Sequence, residues 1–360
     1  MLEETLIYGG IKNDTKIVDE ILWGLDWVQR TWLADYQALI YMVGNRTDHY
    51  QGFRLPEDDQ LRNRPVYICE PGKGANIAGL VSAALSLGVI LQNLSIIPKM
   101  ENGWLSTSID VYEFGLQNME VQQIGIGDWI AYPEYGWQDD MALASILLYK
   151  ITGNESYYQG AVEYFSEFLE YSDVLITVSN VFAMLHLHEE GFRDATEFYY
   201  DLSWCLQNAI NDPLFYIFDE YMWSSVPAMV MVAIGAWAYG KTTGDSEFDI
   251  ILDYVLNYVF GVNQWGVSFV SGYGTVYARN LHHQILYLKN MTILGILVEG
   301  GASKSLLNEH EIAILPPEED PYSIFQSDEA MYQDVYWNYI VNEPTIRSQA
   351  ALIFFISVCL

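Results

Sequence analysis

The chain has 360 residues, of which 51% are hydrophobic, enough for one large domain or two ordinary ones around a substantial core. Asp and Glu number 47 against 16 Lys and Arg, a net charge of -31 that no single run accounts for. A surface of that sign repels phosphate, which argues against nucleic acid and anionic membranes as partners and leaves neutral polyols and sugars as suitable ligands.

The N-terminus, Met1-Leu-Glu-Glu-Thr5, carries neither the basic region nor the apolar core of a secretory signal, so the location is left unknown; a truncated start would make an extracellular protein the expectation. The apolar stretches at residues 77–91, 226–240 and 350–360 each fall short of the roughly 18 residues needed to span a bilayer. They read as core helices, with no membrane insertion expected. Cys69, Cys205 and Cys359 are widely spaced and odd in number, without the paired spacing of a zinc site, and are expected to be buried thiols. The 27 Tyr, 15 Phe and 11 Trp offer flat apolar faces on which sugar rings stack, or simply a Tyr-rich core.

Asp14 and Thr15 can cap a helix whose apolar positions Ile17, Val18, Ile21, Leu22, Leu25 and Val28 share one face. Residues 33–73 lose this periodicity and carry Asp48-His49, Arg54, Glu57, Asp58, Asp59, Arg62 and Arg64, which reads as an ordered polar loop. A long apolar helix is expected over residues 74–97, stopped by Pro98. Residues 100–136 read as irregular, with Gly125, Gly127, Asp128, Trp129, Pro133 and Gly136 marking turns.

Helices then follow near residues 137–151, 155–171, 174–190, 193–210, 223–241 and 246–260, and again near 331–341 and 344–359; no stretch shows convincing strand alternation. An internal repeat supports an all-α reading. Tyr149-Lys-Ile-Thr-Gly-Asn154 and Tyr239-Gly-Lys-Thr-Thr-Gly-Asp245 each end one helix at a Thr-Gly and open the next at Asn or Asp. Trp137 and Trp223 precede the two hairpins. Successive helix pairs of this kind close into an (α/α) barrel or open into a solenoid, and the long irregular segments speak against the solenoid.

The stretch Phe260-Gly-Val-Asn-Gln-Trp-Gly-Val-Ser-Phe-Val-Ser-Gly-Tyr-Gly274, followed by Leu281-His-His-Gln284, interleaves glycines with aromatics. Such a backbone turns sharply and approaches something closely, as the wall of a site does. His186 and His188 are two apart on one helix and do not share a face, so they make no metal pair. Asp139-Asp140 opens a helix and reads as dipole-matched capping.

In order and spacing, Val18-Asp-Glu-Ile-Leu-Trp-Gly-Leu-Asp-Trp27, Asp48-His49, Arg54-Leu-Pro-Glu57, residues 137–153, the glycine-rich stretch with His282-His283, and the closing set Tyr332-Gln-Asp334, Tyr339, Asn342-Glu343 and Gln349-Ala350 resemble the family 9 glycoside hydrolases. The resemblance implies an (α/α)6 barrel and inverting hydrolysis of β-1,4-glucosidic bonds in cellulose-type glucans, with no cofactor required and calcium used by some relatives. It makes Glu343 the general acid, Asp334 a supporting carboxylate, and His282 or His283 a partner of the sugar next to the scissile bond. Trp137, Trp223, Tyr273 and Tyr339 are the aromatic residues expected at the sugar.

Pro344 is expected to open the last helix and to leave Glu343 near its positive end, so that raising the Glu343 pKa needs apolar burial or further negative charge. The chain departs from the family at marked places. No Asp-Ala-Gly-Asp, the family's base segment, occurs in it; Gln264 stands for a proline, and Gln284 and Tyr336 stand for arginines. The expectation is a single domain over residues 1–360 with its barrel incomplete at the N-terminus, the base supplied by an upstream polypeptide segment. The alternative is a non-catalytic carbohydrate-binding protein on the same barrel.

Overall fold

The computed structural model describes every residue except 12, 13, 45, 62, 63, 102, 127, 128 and 172–175, together with the side chains of all but His49, Trp129, Ala131 and Tyr171 among the rest. The expectations for His49, Arg62, Gly127-Asp128 and the start of the 174–190 helix therefore lie partly or wholly outside the described residues. The chain packs into two compact units, one of residues 1–52 and 60–197, the other of residues 53–59 and 198–360.

The first unit opens with α1 (Leu2–Tyr8) and α2 (Thr15–Gln29). Asp14 caps α2 as expected, accepting from the backbone N–H of Lys16 at 2.8 Å and Ile17 at 3.4 Å. Ile21 and Leu25 are buried, with the rest of the apolar stripe packed beside them. The polar segment that follows holds β1 (Trp32–Leu33), β2 (Ala38–Val43), α3 (Arg46–Tyr50) and β3 (Val66–Ile68), with β2 pairing antiparallel to both other strands. The strands escaped the pattern because β2 is apolar at every position and shows no period of two.

Next come α4 (Ala75–Asn93), α5 (Trp104–Gln117), the hairpin β4 (Ile124–Ile126) with β5 (Trp129–Tyr132), α6 (Gln138–Thr152), α7 (Glu155–Tyr171) and α8 (Val178–Glu189). α4 ends four residues before its expected stop, turning at Ser95 with φ +58°. With 19 residues it is long and apolar enough to cross a membrane, contrary to the reading of residues 77–91 as too short, yet 78% of that window is buried inside the fold. α5 corrects the reading of residues 100–136 as irregular. It buries Trp104, Ser108, Val111, Tyr112 and Gly115, a helical stripe whose polar and glycine members hide the period. Ser108 is engaged with Ser82 and Ser86 of α4 at 2.9 and 2.7 Å. α4 also meets α6 backbone to backbone, since a Cβ on Gly79 would lie 2.5 Å from the Asp140 carbonyl carbon. Asp139 and Asp140 bind across to the Thr177 and Ser179 hydroxyls at the start of α8, at 2.7 and 2.5 Å.

The second unit holds most of α9 (Thr196–Asn211), then α10 (Ser225–Thr243), α11 (Asp249–Val259), α12 (Gln284–Lys289), α13 (Lys304–Glu309), α14 (Tyr339–Asn342) and α15 (Ile346–Cys359). α10 is buried on nearly all sides, against α11 and α15 among others. Both repeat turns end as expected in left-handed glycines, Gly153 at φ +67° and Gly244 at φ +75°. Cys69 and Cys205 are buried, whereas Cys359, in the last turn of α15, is exposed and corrects the expectation for it.

Two further corrections fall at the C-terminus. Residues 331–338 are not helical, because side chains take their backbone groups: Gln326 binds Tyr332 through both its N–H and C=O, and Asn342 binds the Gln333 and Val335 carbonyls. The last helix begins at Ile346, with Thr345 as its cap accepting from Ser348 N–H at 3.2 Å. Glu343 is therefore extended, two residues before that cap and three before the helix.

Candidate active site

The second unit brings Glu343, Asp334, His282, Trp223 and Tyr339 onto neighbouring segments. Of the glycine-rich stretch, residues 267–271 and Trp265 are core: Trp265 is 4% exposed and donates its indole N–H to Gln326 at 2.9 Å. Gly272 shows why glycine is needed there, with φ +81° and a would-be Cβ 2.3 Å from Leu294. What reaches the site is the end of the stretch. His282 N–H donates to Asn342 O at 2.9 Å, which pins it beside Glu343.

The His282 Nδ1 lies 2.6 Å from the Tyr336 carbonyl oxygen, which can only accept. Nδ1 therefore carries the proton and Nε2 is left as an acceptor. Burial lowers the pKa, which favours the neutral ring. His283 serves elsewhere, capping α12 with its Nδ1, which accepts from Leu286 N–H.

Around His282 the rings close into a cluster. His282 lies 4.9 Å from Phe53 and 5.7 Å from Tyr339; Tyr339 lies 5.5 Å from Trp223, which is edge-on to His310 at 5.1 Å. Phe53 continues to Tyr287 at 5.9 Å and Tyr336 at 6.1 Å, and these two stack at 3.7 Å. Gln284 accepts from Arg54 N–H at 3.2 Å and so helps to hold Phe53 there. Tyr273 stands apart from this cluster. Trp137 belongs to the first unit and packs on Tyr164, while Tyr273 is exposed and touches Phe260.

The carboxylates sit in contrasting surroundings. Asp334 accepts from Arg279 N–H at 3.0 Å and Asn280 N–H at 2.9 Å, tying down the turn that leads to His282. Burial pushes its carboxyl up, against the pull of those donors and the Arg279 charge. Glu343 is partly exposed, no described residue hydrogen-bonds its carboxylate, and burial raises its pKa. Behind it Asn342, fully buried, donates to the Gln333 and Val335 carbonyls, both at 3.0 Å, and accepts from Tyr332 OH at 3.0 Å.

A third carboxyl, Glu299, is buried beside the start of α10. Sequence reasoning missed it together with Phe53, His310 and Tyr287. A lone acid inside the apolar and glycine run of residues 293–302 was the available signal. Among the described residues no group of three or more His, Cys, Asp or Glu side chains is placed to hold a metal ion, so the calcium suggested by resemblance finds no such set.

The sequence profile of glycosyl hydrolase family 9 matches residues 3–356. The chain belongs to that family. It is 24% identical over 312 residues to endoglucanase 21 of Oryza sativa subsp. japonica, covering 74% of this chain and 58% of the rice protein. With endoglucanase 13 of Oryza sativa subsp. indica it shares 23% over 332 residues, 77% of this chain and 51% of the relative. The chain thus spans little more than half the length of these relatives. Among solved structures, the cellulase Cel9M of C. cellulolyticum superposes with a TM-score of 0.77 at 19% identity, over 99% of this chain and 82% of that one. The family 9 endoglucanase J30 gives 0.74 at 19% identity, over 99% and 65%. The fold of this family 9 chain is accordingly the all-α, (α/α) barrel fold of those enzymes.

Proposed function

We propose that this chain is a single family 9 catalytic domain that hydrolyses β-1,4-glucosidic bonds of cellulose-type glucans with inversion, with Glu343 as the general acid. The observation that carries the reading is the setting of Glu343: a carboxyl whose pKa burial raises, without a donor, yet partly open to solvent and next to His282 and its ring cluster. Glu343 gives its proton to the glycosidic oxygen as the bond from the anomeric carbon to that oxygen breaks. A water molecule, losing a proton to a base on the opposite face, attacks the anomeric carbon. His282 Nε2 accepts from a sugar hydroxyl, and Trp223 and Tyr339 offer faces to the rings. Asp334 fixes the wall. The base segment is not among the 360 residues, and the reading assigns the base to another polypeptide segment.

The test compares wild type with Glu343→Gln on cellooligosaccharides and on a dinitrophenyl cellobioside, whose leaving group needs no proton. Loss on the first with retention on the second supports the acid; equal activity on both refutes it. A second reading, carbohydrate binding without turnover, is favoured by Gln284 and Tyr336 in place of arginine, which removes two planar cationic donors. Titration with cellotetraose separates them: binding without turnover, even with a family 9 base segment supplied, supports the second.

A further inference from the structure

Residues 297–302 are wedged between the start of α10 and the end of α14. Glu299 O accepts from Val226 N–H at 3.0 Å, Ser225 Oγ donates to Gly301 O at 2.7 Å, and Gly300 N–H donates to Val341 O at 3.0 Å. The backbone itself fills the space: a Cβ on Gly300 would lie 2.3 Å from Val226 Cγ2, and one on Gly301 2.4 Å from Trp265. Into this contact the chain puts a carboxyl. Glu299 is 1% exposed, and neither of its carboxylate oxygens has a hydrogen-bond partner.

An ionised carboxylate so placed is far costlier than the neutral acid. The charged groups that bear on it are Glu343, from the segment after α14, and Arg347, in the first turn of α15; the Ser224 and Ser348 hydroxyls lie nearby without closing a hydrogen bond. Burial first, then the Glu343 charge, pushes the Glu299 carboxyl up to about 7 against the opposing pull of those hydroxyls and Arg347.

We propose that Glu299 is a positioning residue for Glu343: as a neutral acid it lets residues 339–343 pack against 299–301, and on ionising it repels Glu343 and loosens that segment. It sets the alkaline limit of the wall. The meaning for catalysis rests on Glu343 being the acid, but the readout does not need turnover.

The sign follows from the raised pKa. Stability contributed by Glu299 is complete below its ordinary 4.5 and is lost as pH rises through about 7. A shift of that size corresponds to roughly 300-fold in the unfolding equilibrium. Chemical unfolding and amide exchange of α14 are measured from pH 5 to 8.5 for wild type, Glu299→Gln, the apolar Glu299→Met as a second variant should the amide not be tolerated, and Glu343→Gln. Comparing variants at each pH cancels the other titrating groups. Wild type is expected to lose stability and α14 protection relative to both Glu299 variants as pH rises, by roughly 70-fold between pH 5 and 8.5, the rest of the 300-fold falling below pH 5. In Glu343→Gln the transition moves to lower pH, because the charge opposing ionisation is gone. The proposal is overturned if the Glu299 variants keep the wild-type pH dependence, or if Glu343→Gln leaves the midpoint where it was. Full turnover by Glu343→Gln on cellooligosaccharides would sink only the acid assignment.

Discussion

Asn342 is the residue on which the wall behind Glu343 depends most directly. Its side chain is fully buried and makes three hydrogen bonds, two given to the Gln333 and Val335 carbonyls and one taken from Tyr332 OH, all at 3.0 Å. Asn342→Ala strips a partner from all three groups. Tyr332 is itself fully buried, so its hydroxyl has no access to water. Leaving a buried polar group unpaired costs about 1–3 kcal/mol each. Gln333 and Val335 sit in a non-helical segment that can shift to find other donors, so the sum is set near the low end, at about 3–5 kcal/mol. Urea unfolding of the purified chain, compared with wild type at one pH, reads this directly as a lowered midpoint at unchanged slope. A loss below about 1 kcal/mol would mean that the 332–342 segment holds its shape without Asn342, and the account given for its non-helical path would fall.

Glu343→Gln is expected to cost about 10²–10⁴-fold in turnover of cellooligosaccharides and little on the dinitrophenyl substrate, measured as initial rates. In the first unit, His186 is buried with its Nε2 3.0 Å from Glu4 Oε1, and its pKa is raised: burial alone would lower it, but the Glu4 charge and bonds to Glu189 and Glu4 outweigh that. Its stabilisation is present below the ordinary histidine pKa of about 6.5 and lost as pH rises through the raised value, so Glu4→Gln should destabilise more at pH 5.5 than at pH 9 by thermal melting. An equal effect at both would show that the pair is not charged. Gly79→Ala places a methyl 2.5 Å from the Asp140 backbone and should cost about 1–3 kcal/mol or prevent folding, read from melting temperature and soluble yield.

What the sequence revealed and what it hid divide along physical lines. Capping at Asp14 and the left-handed glycines at 153 and 244 depend on residues a few positions apart, and they are where the pattern placed them. α5 was hidden because its buried face uses Ser108 and Gly115, which serve a close crossing with α4 and carry no hydrophobic signal. The 331–341 segment has a helix-like composition, but Gln326, Gln333 and Asn342 spend their amides on backbone groups 6, 18 and 9 residues away, beyond the reach of a helical period. At the site, Glu343, Asp334 and His282 followed from the family resemblance, whereas Phe53 is brought to His282 from more than two hundred residues away, a distance no local pattern can read.

The shift of the last helix by two residues has a chemical consequence. Had Pro344 opened the helix, Glu343 would have been the capping acid, held ionised by the free N–H groups and the positive end of the dipole. Instead Thr345 takes that place, its hydroxyl accepting from Ser348 N–H, and Glu343 is set back into an extended segment with no donor to its carboxylate. Thr345→Ala separates the two arrangements. It removes the cap, which costs about 1 kcal/mol, and frees the first turn of α15 to recruit the nearest acid. If Glu343 turns to cap the helix, its carboxyl pKa falls and turnover loses its alkaline side while the protein remains folded. An unchanged pH profile in a folded Thr345→Ala protein would show that burial alone, and not the occupied cap, raises the Glu343 pKa.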